Sequence, residues 1–283
     1  MHKPFSTGGK MEQKVILITG ASSGIGYDTA LRLAEQGHKV YGAARRVELV
    51  ERLRDSGVIP IRMDVTDEIS MIDGVNGIID TEGRIDVLVN NAGYGYLGAI
   101  ENVSIAEARR QLEVNLFGLA RLTQLVLPFM RKQHSGRIIN ISSVAGKAVI
   151  LFGGWYNVSK YSVEAFSDAL RMEVKPFGIK VSIIEPGGIK TDWGIIAADN
   201  LETSTIDTAY ENAGYRMASL LKLGYTSNLL SNPRKVAKAI TRAVNARRPK
   251  VRYRLGTGSG LIVLFHTILP ARWWDAVMRK IAS

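Results

Sequence analysis

The sequence predicts an α/β protein: one domain built on a doubly wound parallel β-sheet with helices on both faces. The chain has 283 residues, 46% of them hydrophobic, which is enough for a single sizeable core. Short, continuous apolar segments alternate with helical patterns rich in Ala, Leu, Glu and Arg, as strands and helices do in such sheets. A glycine-rich turn follows the first apolar segment, where these folds commonly bind a ligand.

The predicted strands are the apolar segments. The first, at 15–18, is a continuous apolar run that ends in Thr-Gly, which is typical of a parallel strand buried on both faces. The six others are predicted at 39–43, 58–62, 85–89, 137–141, 179–184 and 250–254. Ligands bind beyond the carboxyl ends of such strands, so we expect the chemistry in the loops after the first, fourth, fifth and sixth strands.

Composition limits the classes of site. The chain has no cysteine, which excludes disulfides and thiolate metal sites and favours a cytoplasmic location. Its four histidines are far apart and form no ligand pair, so we predict no metal. The net charge of +11 comes from residues 211–283, which hold fourteen Lys/Arg against two acids. These charges alternate with apolar residues, so a solvated basic face is the leading interpretation and no nucleic-acid partner is predicted.

The glycine-rich turn, T-G-x-x-x-G-x-G over residues 19–26, is predicted to hold a pyrophosphate. Glycines let the backbone come close to the phosphates, and a helix N-terminus offers free N–H groups. The candidate cofactor residues here are Gly20, Ser22, Ser23, Gly24, Ile25 and Gly26.

Cofactor choice depends on the residue that ends the second strand, where NAD enzymes place an acid for the ribose hydroxyls. Ala44 stands there, and Arg45 follows with a guanidinium suited to a 2′-phosphate. NADP(H) is therefore the predicted cofactor. The alternative is that Arg45 and Arg46 only begin the next helix.

The candidate acid/base is Tyr156. Lys160 lies four residues later, on the same face of a helix, and an adjacent cation should lower the pKa of a phenol. A serine that follows the strand at 137–141 would assist, and both Ser142 and Ser143 are candidates.

The order of these motifs resembles that of the short-chain dehydrogenase/reductase family over residues 14 to about 255. The motifs are the glycine-rich turn, Asp64-Val65, Asn90-Asn91-Ala92-Gly93, Asn115, Ser142-Ser143, Tyr156-x-x-x-Lys160 and Pro186-Gly187 with Thr191. The resemblance implies a Rossmann fold and catalytic roles for Asn115, Ser143, Tyr156 and Lys160. It implies further cofactor contacts from Asp64, Val65, Asn91, Ala92, Gly93, Tyr156, Lys160, Pro186, Gly187, Ile189 and Thr191. It also implies a homodimer or homotetramer.

The implied reaction is hydride transfer between NADP(H) and a carbonyl or secondary alcohol, with Tyr156 as general acid/base. The predicted pocket wall is mainly apolar and suits a small-molecule substrate that is steroid-, retinoid- or lipid-like. Its residues are Val149, Ile150, Leu151, Phe152, Trp155, Gly188 and Trp193. A non-catalytic NADP(H)-binding sensor on the same fold is the alternative. An epimerase of the longer relatives is disfavoured by the spacing of the glycine-rich turn.

The catalytic domain is predicted at 14–255, after a flexible leader at 1–13 without the apolar core of a signal peptide. Within it, 192–230 breaks the strand–helix alternation and is predicted to cover the substrate. The C-terminal extension at 256–283 resembles that of hydroxysteroid and retinol dehydrogenase-like members. It could cover the cleft, pack on a partner subunit, or lie on a membrane surface, where its basic and apolar residues would provide a peripheral contact.

Overall fold

The computed structural model describes residues 12–227 and 229–282, so residues 1–11 of the predicted leader lie outside the described part. Its centre is a seven-stranded parallel sheet in the order β3-β2-β1-β4-β5-β6-β7. The strands are β1 Val15–Thr19, β2 Lys39–Ala44, β3 Val58–Arg62, β4 Val87–Asn90, β5 Gly136–Ile141, β6 Ile179–Pro186 and β7 Arg252–Leu255. Each overlaps a predicted strand, and the bounds differ by at most two residues. The predicted α/β fold of a single domain is confirmed.

Helices cover both faces of this sheet. Those that connect the strands are α1 Gly24–Ala34, α2 Val47–Glu51, α3 Glu68–Glu82, α4 Ile105–Leu112, α5 Gly118–Lys132, α6 Gly154–Val174, α7 Trp193–Thr205, α8 Glu211–Thr226 and α9 Pro233–Asn245. Two more follow β7, namely α10 Ser259–Ile268 and α11 Ala271–Ala282. The segment predicted at 192–230 is therefore largely helical, formed by α7 and α8, which pack against each other.

The sheet has a core on each face because its strands are apolar on both sides. Along β1 every residue is buried, and successive side chains point to opposite faces. Ile16 and Ile18 belong to the core beneath α1 and α9, whereas Leu17 belongs to the core on the other face. This explains why the strands read as continuous apolar runs.

The strand order reverses at β1, which pairs with β2 on one side and with β4 on the other. The connections leaving β1 and β4 therefore diverge to opposite faces and open a crevice at the carboxyl ends of these two strands. The sequence places the glycine-rich turn after β1 and the Asn90–Gly93 turn after β4. Both turns thus lie at this crevice.

Buried ion pairs hold the edge strand β7 against the rest of the sheet. Glu185 of β6 is fully buried and accepts a hydrogen bond from Arg254 of β7 at 2.8 Å. Arg252 contacts Glu185 and also Glu164 of α6, each at 3.1 Å. Because each carboxylate has a guanidinium partner, these ion pairs tie β7 to β6 and to α6.

The last two helices pack against the domain rather than extending from it. α10 contacts β7, and α11 contacts α8. The indole Nε1 of Trp274 donates to the backbone oxygen of Val149 at 3.0 Å, which joins α11 to the loop after β5. None of the helices within residues 12–227 and 229–282 combines the length and apolar character needed to cross a bilayer.

Helix α3 provides a test of local stability. Asp67 precedes it, and the Asp67 carboxylate accepts hydrogen bonds from the backbone N–H groups of Ile69 and Ser70 at 3.0 and 3.3 Å. We expect Asp67→Ala to lower the free energy of unfolding by about 1 kcal/mol, because two N–H groups lose their acceptor. Asp67→Asn, which keeps an acceptor oxygen, is the control and should lose only part of this. Denaturant unfolding that shows equal loss in both variants would contradict the capping role.

Candidate active site

The glycine-rich turn has the backbone that its sequence requires. Gly20 and Gly24 adopt left-handed conformations with φ of 67° and 56°. A Cβ on Gly26 would overlap the carbonyl oxygen of Gly20, so that close approach is open only to glycine. Helix α1 starts at Gly24 without a side-chain cap, which leaves its first N–H groups directed at the crevice. The turn therefore fits the pyrophosphate of a dinucleotide.

Asn91 joins this turn to the loop after β4. Its Nδ2 donates to the carbonyl oxygens of Thr19 and Gly20 at 2.9 and 3.1 Å. The hydroxyl of Thr19 in turn accepts from the backbone N–H groups of Asn91 and Ala92, both at 3.0 Å. These four hydrogen bonds join the two loops that border the crevice, and the side chain of Asn91 donates two of them.

Arg45 lies just beyond β2, where the predicted 2′-phosphate contact would be. Ala43 accepts a hydrogen bond from the backbone of Ala21 at 3.1 Å, which sets the end of β2 beside the glycine-rich turn. The side chain of Arg45 is exposed, and its carbonyl oxygen accepts from Arg62 Nη1 at 3.1 Å. Arg62 ends β3 and is a second guanidinium at this corner that the sequence analysis missed. The pairing of Ala44 with Arg62 in the sheet is what brings it there.

The structure distinguishes the two serines after β5. Ser142 is buried, and its hydroxyl points to the backbone oxygen of Lys160 at 3.5 Å. Ser143, by contrast, is only partly buried. Its hydroxyl lies 3.4 Å from the backbone oxygen of Pro186 and makes a side-chain hydrogen bond to Tyr156. The geometry therefore favours Ser143 over Ser142 as the partner of the candidate acid/base.

Tyr156 is buried, and burial is the largest cause of the shift in the pKa of its phenol. Removal from water raises the pKa of its phenol above the ordinary value, and the hydrogen bond from Ser143 opposes this shift. The spacing of Tyr156 and Lys160 predicted that the lysine would lower this pKa. Instead, the Lys160 ammonium lies over the ring, 5.9 Å from its centroid, and donates to the carbonyl oxygen of Ile141 at 3.0 Å. Desolvation therefore sets the direction of the shift in the pKa of Tyr156, and the expected lowering by Lys160 is wrong.

Lys160 is buried as well, and burial lowers its pKa to about 8. Glu164, one helical turn further on, opposes this shift by favouring the charged amine. Glu164 itself is held by Lys147 at 2.9 Å and by Arg252 at 3.1 Å. Because those cations already neutralise it, Glu164 only partly offsets the desolvation of Lys160.

Asn115 lies in a π-helical turn, Glu113–Phe117, between α4 and α5. Its Oδ1 accepts from the backbone N–H of Tyr94 and its Nδ2 donates to the Tyr94 carbonyl, at 3.0 and 2.9 Å. Nδ2 also donates to Ser159 at 3.0 Å. A Cβ on Gly93 would come within 3.0 Å of Asn115 Oδ1 and 3.6 Å of Lys160 Nζ, so these groups share one small space. The widened turn is therefore what brings Asn115 to the lysine.

Asn157, next to the candidate acid/base, escaped the sequence analysis. Its Nδ2 donates to the carbonyl oxygens of Ala145 and Ala148 at 2.7 and 3.0 Å, and its Oδ1 accepts from Ile150 N at 3.2 Å. This side chain therefore fixes the loop that joins Ser143 to α6. The only signal in the sequence was that this asparagine directly follows the candidate acid/base, and its hydrogen-bond partners are known only from the fold.

Helices α7 and α8 enclose Tyr156 from the side opposite the sheet. The rings of Tyr156 and Trp193 are 5.1 Å apart, and Tyr225 lies 6.3 Å beyond Trp193. Burial raises the pKa of Tyr225 to about 12. An apolar cluster continues around them. It includes Leu97, Ala99, Phe152, Ala197, Ala198, Leu201 and Ala218. Of the predicted pocket wall, Leu151, Phe152 and Trp193 belong to it. Val149 is exposed, and its backbone oxygen accepts from Trp274.

The remaining predicted cofactor residues lie at strand ends around the crevice. Asp64 binds the backbone N–H and the hydroxyl of Thr66 at 2.9 and 2.8 Å, so its carboxylate supports its own turn. The backbone of Val65 packs on Gly118 of α5. Thr191 contacts the position where a Cβ on Gly24 would lie. Of the others, Pro186 ends β6 and pairs with Leu255 of β7, and Gly187 N donates to the Leu255 carbonyl oxygen at 2.8 Å. Ile189 forms an isolated bridge with Ser231, in the loop after α8.

Comparison with known proteins agrees with this geometry. The family profile of the short chain dehydrogenases matches residues 14–201. A 3-ketodihydrosphingosine reductase of Bacteroides thetaiotaomicron is 40% identical over 87% of this chain and 89% of its own. A short-chain dehydrogenase of Streptomyces avermitilis is 33% identical, with a TM-score of 0.77 over 95% of this chain and 94% of its own. A short-chain dehydrogenase/reductase from Burkholderia phymatum, solved in complex with NAD, is 25% identical, with a TM-score of 0.74 over 87% of this chain and 90% of its own.

Proposed function

Because this chain belongs to the short-chain dehydrogenase/reductase family, and is thus an oxidoreductase that binds a nicotinamide cofactor, we propose that it uses NADP(H). Its substrate would be a hydrophobic ketone, or the corresponding secondary alcohol. The observation that carries this proposal is the meeting of Ser143, Tyr156 and Lys160 at the carboxyl edge of the sheet. A sensor would need the glycine-rich turn but not a buried phenol with a hydroxyl partner.

The proton chemistry follows from these side chains. The bound nicotinamide would supply or accept the hydride. Because burial raises the pKa of Tyr156, the phenol keeps its proton at neutral pH and can give it to a developing alkoxide. Ser143, which is hydrogen-bonded to Tyr156, would turn its single hydroxyl proton to the same substrate oxygen, so that this oxygen accepts from both residues. In the oxidative direction Tyr156 must first lose this proton, for which the ammonium of Lys160 would provide the compensating charge.

The preference for NADP(H) rests on the corner formed by β2 and β3. Ala44, which ends β2, has no carboxylate for the ribose hydroxyls. The guanidinium of Arg45 is exposed beside the glycine-rich turn, and Arg62 supports its backbone. Two cations in this place favour a 2′-phosphate. The Burkholderia phymatum structure holds NAD, so the fold by itself does not require NADP(H), and local residues must decide the preference.

The substrate class rests on the enclosure of Tyr156. Phe152, Trp193 and the small residues of α7 form an apolar wall, to which Tyr225 adds a polar group. A long apolar ketone fits such a wall better than a sugar does. The name of the Bacteroides relative, a 3-ketodihydrosphingosine reductase, points to the same class, a ketone on a long lipid chain.

The test is a panel of ketones and alcohols assayed by nicotinamide absorbance with NADPH and with NADH. The panel should contain long-chain 3-keto compounds, steroids and retinoids, and sugars as the contrasting class. We expect turnover of one of the hydrophobic classes, with a higher kcat/KM for NADPH than for NADH. Cofactor binding without turnover of any member, in both directions, would favour the sensor.

The lowered pKa of Lys160 predicts a pH dependence of cofactor binding. Below about pH 8 the amine is charged and can bind the anionic cofactor, and above it the amine loses its proton. The affinity for NADPH should therefore fall as pH rises through about 8, by about ten-fold, the difference between a charged and a neutral hydrogen-bond donor. Titration of cofactor fluorescence between pH 6 and 10 measures this. Lys160→Met should bind more weakly and show no step, and a step that persists in it would assign the titration to another group.

A further inference from the structure

Helix α10 leaves a complete apolar stripe uncovered. Leu261, Leu264, Phe265 and Ile268 follow the i, i+3, i+4, i+7 spacing of one helical face. Each is between 45% and 60% exposed. The opposite face is the one that packs, through the buried Val263 and through His266, whose ring meets Trp274 edge-on. The helix has no acidic, lysine or arginine residue. An amphipathic helix normally buries its apolar face, so here the exposed face calls for a partner.

Helix α11 repeats the arrangement. Trp273, Val277 and Ile281 are spaced by four residues and are all exposed, Trp273 by 67%. Trp274, its neighbour, is buried against the domain instead. We call these side chains together the C-terminal apolar face: Leu261, Leu264, Phe265 and Ile268 of α10, and Trp273, Val277 and Ile281 of α11. Seven large side chains on two adjoining short helices form a patch of the kind that marks an interaction surface.

The charges around this face are mainly positive. In α11, Arg272 and Arg279 are exposed on the side away from Trp273, and Asp275 is the single acid in α10 and α11. The region before them is basic too. Helix α9 and strand β7 border a groove of about 370 Å³ whose lining includes Lys235, Lys238, Arg242 and Lys250. Arg252 and Arg254 also line it, but Glu164 and Glu185 already pair with them. Helix α10 packs against β7. An apolar face beside basic residues complements an anionic lipid surface.

We propose that the C-terminal apolar face docks this protein on the surface of an anionic membrane. Two features favour lipid over a second copy of the chain. Two copies would bring the basic residues of α9, β7 and α11 towards those of the partner, whereas anionic headgroups would neutralise them. An exposed tryptophan beside leucine and phenylalanine is also the composition of helices that lie in the interface of a bilayer. The helices are 10 and 12 residues long, which suits insertion along the surface and not across it.

Docking in this way would place the entrance of the cleft near the lipid. Helix α11 is joined to the loop after β5 through Trp274 and Val149, and α10 contacts the turn Val144–Gly146 that follows Ser143. A ketone on a long lipid chain could then reach Tyr156 without leaving the membrane surface. This delivery of a lipid-like ketone to Tyr156 rests on the proposed function, whereas the docking itself does not.

The test is flotation of the full chain with vesicles of phosphatidylcholine alone and of phosphatidylcholine with phosphatidylglycerol, at low and at high salt. We expect binding to the anionic vesicles, weakened by salt because headgroup attraction is screened. Phe265→Glu should reduce the bound fraction about ten-fold or more, since it removes a ring that would insert into the bilayer and adds repulsion from the anionic headgroups. Phe265→Ser, which keeps the net charge, should give an intermediate loss. Ile69→Glu, on an exposed apolar residue of α3, is the matched control and should bind as the unmodified protein does.

Three outcomes would overturn the proposal. The full chain could fail to float with anionic vesicles at low salt, or Phe265→Glu and Ile69→Glu could bind alike. Light scattering could instead show that Phe265→Glu splits an oligomer that ignores vesicles, which would assign the face to a second copy. Turnover of a water-soluble ketone, measured without vesicles, is unaffected by docking and tests the proposed function separately.

Discussion

Tyr156→Phe is expected to reduce kcat by about 10²- to 10⁴-fold, the usual cost of removing a general acid/base. The variant loses one hydroxyl and keeps the ring, which packs on Trp193 and beneath the Lys160 ammonium. Fold and cofactor binding should therefore persist. Steady-state assays with the best substrate of the panel, together with fluorescence titration of NADPH, measure the two properties independently.

Tyr161→Phe is the control for this experiment. Tyr161 lies on the same helix but is partly exposed, so the loss of its hydroxyl should leave kcat within about two-fold. If Tyr156→Phe kept the unmodified kcat, Tyr156 would not be the proton donor. A loss of NADPH binding that matched the loss of kcat would indicate a structural role instead.

Arg45→Ala is expected to weaken NADPH by about 10- to 150-fold and to leave NADH nearly unchanged, as a charge-assisted contact is worth about 1.5–3 kcal/mol. NADH lacks the 2′-phosphate, so it has nothing to lose when the guanidinium is removed. The ratio of kcat/KM for the two cofactors is the measurement. Arg62→Ala should have a smaller effect, because Arg62 Nη1 donates to the backbone oxygen of Arg45.

Arg52→Ala is the matched control, since it removes the same charge from an exposed position at the far end of α2. It tests whether overall charge, and not local contact, attracts the cofactor. Equal kcat/KM for NADPH and NADH in the unmodified enzyme would show that the assignment of NADP(H) is wrong. An equal loss with both cofactors in Arg45→Ala would show that Arg45 acts on the loop and not on a phosphate.

The strands were predictable because a parallel sheet covered on both faces requires continuous apolar runs, and β1 shows this directly. Helix α7 was not predicted, because its sequence lacks a comparably regular apolar pattern. Its apolar residues Ala197, Ala198 and Leu201 pack into the cluster around Tyr156 while Ile196 is exposed, so the pattern lacks one clear face. The sequence therefore indicated where the segment lies without indicating that it is helical.

In the site, residue identities were predictable but their mutual arrangement was not. The choice between Ser142 and Ser143 depends on where each hydroxyl points after β5. The geometry favours Ser143, because the hydroxyl of Ser143 is hydrogen-bonded to Tyr156, whereas that of Ser142 points to the backbone of α6. The pKa of Tyr156 was expected to fall because Lys160 is near in sequence. Burial raises it instead, since the cost of removing a phenolate from water is set by tertiary packing. Arg62 became visible only through its pairing with Ala44.

The location of α7 and α8 has a consequence for how specificity can diverge. The proposed proton-transfer groups belong to the loop after β5 and to α6, where Asn157 fixes the loop with three hydrogen bonds. The residues that face them across the cleft, Trp193 and Tyr225, belong to helices inserted between β6 and β7. Replacing the segment of α7 and α8 would change the residues that face the substrate. The groups proposed to transfer the proton and the core of the sheet would stay unchanged. Substrate range and reaction type are thus separately mutable here, and a directed-evolution library confined to residues 193–226 should yield new substrates without new chemistry.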